Sequence, residues 1–84
     1  MHGAMQEFTS HRIRLGEVVA LRHMPALFEE VRRAAAIGAR LVELDATNLV
    51  RLTDGARCMI EAGQRRWAEH QVEVRFTAPL ARTG

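Results

Sequence analysis

At 84 residues the chain has room for one domain and a thin core, a size that favours pairing with itself or with another protein. Hydrophobic residues at 48% and charged residues at 26% exclude a disordered chain, and no apolar run nears the ~18 residues of a membrane span. The twelve basic residues, all arginine, are scattered among ten acids and few aromatics, which argues against a nucleic-acid binder.

Residues 1–10 show neither a hydrophobic period nor a signal-peptide pattern and are read as a flexible tail on a soluble, cytoplasmic protein. The domain is expected over 11–78, with a second tail over 79–84. Ile13 and Leu15 alternate with Arg12 and Arg14 as a first strand. Gly16-Glu17 gives a tight turn, and Val18 to Leu21 form a second strand in an antiparallel hairpin. Pro25 suits the first turn of a helix whose apolar stripe is Met24, Leu27, Phe28, Val31 and Ala35. His23 reads as a helix-start residue. Glu29 and Arg33 make a favourable pair four apart, and Gly38 ends the helix.

Leu41 to Asp45 is a third strand, apolar enough to be central. A second helix opens near Thr53, with Ala56, Met59, Ile60, Gly63 and Trp67 inward and the pair Glu61 and Arg65 outward. Val72, Val74 and Phe76 alternate with polar residues as a last strand, ended by Pro79. The order β-β-α-β-α-β predicts an α/β fold. Strands one and four alternate apolar with charged residues, so one sheet face stays wet. The expected architecture is a two-layer sandwich, a mixed four-stranded sheet with both helices on one face.

From about Arg12 to Thr77 this pattern resembles a STAS domain, the module of anti-sigma-factor antagonists and related bacterial regulators. The resemblance is carried by the strand LVELD (41–45), the connector ATNLVRL (46–52), the turn TDGA (53–56), and the helix RCMIEAGQRRWAEH leading into VEVRF. It is similar to the compact standalone type, such as the STAS subunit of the bacterial phospholipid-transport ABC complex, and equally to STAS proteins of chemotaxis systems. The departures fall in the switch turn. Thr53 stands where the family usually has Asp, and Asp54 and Gly55 stand where Ser or Thr accepts phosphate. Ala56 and Arg57 replace Gly and Leu. The family's last helix has no counterpart before APLARTG.

The resemblance implies a protein-docking surface at the 46–57 loop and the start of the second helix: Thr47, Asn48, Thr53, Asp54, Gly55 and Arg57. Its partner classes are an anti-sigma or serine-kinase-like protein, a chemotaxis or two-component element, or an ABC ATPase. A helix N-terminus favours negative charge, and Asp54 supplies it permanently where the family adds phosphate. Thr53 is the remaining candidate phosphoacceptor, set against a plain role as the helix cap. Asp45 is read as closing a turn onto backbone amides, a turn Thr47 and Asn48 help to shape. Cys58, the single cysteine, rules out a disulfide framework and reads as a packing or boundary residue. Met24, Met59 and Trp67 read as core. No acids, histidines or cysteines share metal-ligand spacing, and no glycine-rich phosphate loop is present, so no cofactor is expected and the chain reads as a non-enzyme. The alternative is a structural or dimer-forming subunit of a transporter or signalling complex.

Overall fold

The computed structural model describes residues 9–77. Strand β1 (Thr9–Arg14) is followed by a two-residue strand β2 (Val18–Val19), a 3-10 turn at Leu21–His23 and helix α1 (Met24–Ala36). Then come β3 (Ala39–Asp45), a two-residue β4 (Arg51–Leu52), α2 (Asp54–Ala68) and β5 (Glu73–Thr77). Thr9 and Ser10, expected in the tail, belong to β1. Residues 1–8 and 78–84, which hold the rest of that tail, Pro79 and the C-terminal tail, lie outside the described residues.

Two parallel sheets replace the expected mixed one. β1, β3 and β5 form a three-stranded sheet with β3 in the centre, and β2 pairs with β4. The antiparallel hairpin at Gly16-Glu17 does not form. A two-residue hairpin turn needs positive φ at its first or both central residues, and neither Gly16 nor Glu17 has it. Leu15 instead continues along β3, its N–H donating to the Asp45 carbonyl at 2.9 Å. The chain then leaves the sheet, and β2 finds its partner beyond β3.

The alternation along the strands sorts the two faces as expected. Ile13, Val42, Leu44 and Val74 turn inward to one core with Leu27, Val31, Ala56 and Ile60 of the helices. Val31, Val42, Leu44 and Ile60 lose nearly all their solvent exposure, each burial stabilising by about 1.5–3 kcal/mol. On the other face the register aligns Arg12, Glu43 and Arg75 across the three strands. Glu43 lies 3.4 Å from Arg12 and 3.9 Å from Arg75, so charges lie opposite one another across that face.

The helices end and meet for local reasons. His23 Nδ1 accepts the Ala20 N–H at 2.9 Å and leads into α1, with Pro25 in its first turn. Gly38 closes α1 at φ +105°, a conformation only glycine adopts freely. Glu29 pairs with Arg33 at 3.7 Å, and more closely with Arg32 at 2.6 Å. Those arginines, the Arg32 hydrogen bond first, hold the Glu29 carboxyl below its usual range. No Glu61–Arg65 ion pair forms. Where α2 crosses α1, a Cβ on Gly63 would overlap the Phe28 ring, so the missing side chain sets the approach of the helices. Trp67 is half-buried at the rim of this core.

Candidate docking corner

The expected site lies where β3 hands over to α2. Asp45 ends β3 with only 4% of its surface exposed. Its Oδ1 accepts both the Thr47 N–H at 2.9 Å and the Thr47 hydroxyl at 2.5 Å, and Arg14 approaches Oδ2 at 3.9 Å. These two hydrogen bonds first, and the charges of Arg12 and Arg14 after them, hold the Asp45 carboxyl below its ordinary 3.8. This is the turn-closing role expected of Asp45, with Thr47 and Asn48 exposed at the turn itself.

The connector is then stitched to the β1–β2 segment. The Glu17 carbonyl accepts the N–H of Val50 at 2.8 Å and of Arg51 at 2.9 Å, and the Val19 carbonyl accepts that of Thr53 at 3.0 Å. Thr53 is the N-cap of α2, extended at φ −72° and ψ 158°, its hydroxyl oxygen accepting the Ala56 N–H at 3.2 Å. One of the four unpaired amides of the helix start is thereby satisfied. Asp54 follows in the first turn, exposed and beside the positive end of the helix dipole.

The six expected residues do not share one surface. Thr47, Asn48, Asp54, Gly55 and Arg57 are exposed, whereas Thr53 is half-buried and turned to its cap. At ~100° per residue, Gly55 and Arg57 lie on opposite flanks of α2. Gly55 faces the 3-10 turn, where a Cβ would meet the Leu21 side chain at 3.7 Å.

Two expectations about the helix itself are corrected. Met59 is 44% exposed because Ile60, next to it, takes the inward position. Cys58 is exposed rather than packed. Leu21, expected to end the second strand, instead opens the 3-10 turn and lies 54% exposed beside Gly55, a placement that an apolar run alone does not signal.

Among the described residues no three histidines, cysteines or acids gather as metal ligands. No described helix is long and apolar enough to cross a membrane. Clefts of about 580 and 850 Å³ lie around the other end of α2, sharing Arg40, Gln71 and Val72. No family model matches the chain, and no curated protein or solved structure matches it significantly.

Proposed function

We propose that the chain is a non-enzymatic regulatory module of STAS type, which docks a bacterial cytoplasmic protein through the 46–57 connector and the start of α2. The partner classes are those of the sequence resemblance: an anti-sigma or serine-kinase-like protein, a chemotaxis or two-component element, or an ABC ATPase. The observation that carries the reading is the state of the switch turn. Asp54 stands exposed at the start of α2, while the only hydroxyl beside it, on Thr53, is engaged in the cap. A fixed negative charge in place of a modifiable one fits a module held in one binding state, without the usual phosphoserine switch. No nucleic acid, cofactor or metal enters this reading, and catalysis has no part in it.

The test is a pair of exposed substitutions, Asp54→Ala and Arg57→Ala, in a co-purification with the products of the neighbouring genes. Loss of the partner with an unchanged circular-dichroism spectrum supports docking at the corner. Retention by both variants would favour the structural-subunit alternative, for which β1 and β5, the two edges of the larger sheet, supply the pairing surface. Phosphate found on Thr53 after incubation with a cognate kinase would overturn the fixed-charge part of the proposal.

A further inference from the structure

At the far end of α2 the helix ends and strand starts surround a cleft of about 580 Å³, within the ~300–1,000 Å³ of small-molecule sites. From residue 35 to 39 its lining is Ala35, Ala36, Gly38 and Ala39, so no side chain there reaches past Cβ and the space stays open. Ala39 and Val72, both buried, give it an apolar floor. Trp67 of α2 is a half-buried wall, with the His70 ring 5.7 Å from it between centroids and tilted by 59°.

The polar groups of the lining are Arg32, Arg40, His70 and Gln71, and among the described residues no acid lines the cleft. Arg32 is held by Glu29 at 2.6 Å. Arg40 enters no ion pair among the described residues. It stands on β3, whereas Arg33, Arg65 and Arg66 lie in the last turns of the helices and offset their negative ends. Arg40 is therefore the charge left for a ligand. The adjoining cleft of about 850 Å³ also takes in Arg40, but it is lined by Glu73 and not by Trp67, and Glu73 lies 3.6 Å from Arg75. Gln71 lines both clefts at φ +62°, in the left-handed region that favours glycine after a helix. A side chain kept there costs backbone strain, and its amide makes only a long 3.4 Å hydrogen bond to the Glu69 carbonyl.

We infer that the cleft beside Trp67 binds a small aromatic carboxylate. The carboxylate meets the Arg40 guanidinium, with the Gln71 amide as a second donor, and the ring lies over the alanine floor against Trp67. Arginine sets the sign of the ligand, and the indole and the alanines set its flat shape. Trp67 is ~20 Å along α2 from Asp54, so this site is separate from the docking corner and does not depend on it.

The experiment titrates the labelled full chain with three probes. Phenylacetate has the ring and the carboxylate, phenethylamine has the ring with a positive charge, and acetate has the charge alone. Chemical shifts are followed at Arg40, the Trp67 indole N–H, His70 and Gln71, with Asp54 as the distant control. The expected result is a saturable shift confined to the cleft with phenylacetate, and about tenfold weaker binding of either other probe. Arg40→Gln should weaken phenylacetate about tenfold while phenethylamine and the melting temperature stay unchanged. Gln71→Gly should melt at or above wild type, its strain relieved, and still bind phenylacetate more weakly. Equal binding of phenethylamine, or undiminished binding of phenylacetate by Arg40→Gln, would overturn the carboxylate site. Equal binding of acetate would overturn the aromatic ligand. No shift in the cleft with any probe up to ~20 mM, a range that ligands of this size reach at ordinary efficiency, would overturn the site itself. The docking corner is judged separately, by its Asp54 and Arg57 variants.

Discussion

The first and third turns of α2 are each built around a glycine that faces another element, and the two do different work. At Gly63 a Cβ would overlap the Phe28 ring; at Gly55 it would meet Leu21 at 3.7 Å, an ordinary contact. One glycine lets two helices lock together, and the other leaves slack beside an exposed leucine. The helix is thus anchored at its middle and open at its start. A docking surface needs that division, a rigid support carrying side chains not yet fully packed.

Substitution at Gly63 breaks the comparison most sharply. Alanine there overpacks the crossing by about 1–3 kcal/mol, offset by up to ~1 kcal/mol of helix propensity. A net loss of ~1–2 kcal/mol is expected for Gly63→Ala, seen as a melting temperature lower by ~4–8 °C per kcal/mol. Phe28→Leu in the same background should recover part of it, because the obstacle is the ring. Wild-type melting of Gly63→Ala would mean the two turns of α2 are equally slack.

Next comes the cap. Thr53→Ala leaves the Ala56 N–H without its partner and should cost ~1 kcal/mol in urea unfolding, while Thr53→Ser stays near wild type. If alanine costs nothing, the start of α2 is not held by Thr53, and that hydroxyl becomes available for the phosphorylation the proposal denies it.

The cap, the Gly38 stop and the Asp45 turn were legible in the sequence because each is local chemistry: a side chain satisfies backbone groups two or three residues away, or a glycine supplies one φ. The sheet was legible only as far as faces go. Alternation in RIRL and VEVRF tells which residues point inward but does not name the neighbouring strand. The partner of Val18–Val19 is Arg51–Leu52, far along the chain and too short to carry a period of its own. The same limit explains Met59. Spacing of three and four admits both Met59 and Ile60 to the apolar stripe, and only packing against the strands decides that Ile60 goes in. The site shared this fate: Thr53 and Asp54 were placed by local rules, while Leu21 came to Gly55 through the tertiary fold.

A smaller, pH-dependent effect is expected at Asp45, where β3 enters the corner. Asn keeps an oxygen to accept from Thr47, so Asp45→Asn removes mainly the charge facing Arg12 and Arg14. Because the folded carboxyl is held below its ordinary 3.8, the charged form stabilises the fold above that value. This contribution is lost as pH falls through the lowered folded value. The difference in melting temperature between wild type and Asp45→Asn should therefore be level above about pH 5 and shrink below about pH 4. A difference that grows in acid would reverse the assignment of Asp45 as a charged, turn-closing group.

The smallest expected effect is at Gly55, and it has the opposite sign to that at Gly63. Near the helix start alanine is favoured over glycine, and the added methyl meets only the flexible end of Leu21 at an ordinary distance. Gly55→Ala should therefore stabilise the chain by roughly 0.3–0.8 kcal/mol, within the ~1 kcal/mol span between glycine and alanine. The same methyl sits within the proposed docking corner, so it should also weaken the partner while leaving the fold firmer. Stability and binding moving in opposite directions would mark Gly55 as slack kept for a partner. Loss of stability in Gly55→Ala would instead make the first turn as tightly packed as the third, and the open end of α2 would be closed by its own leucine.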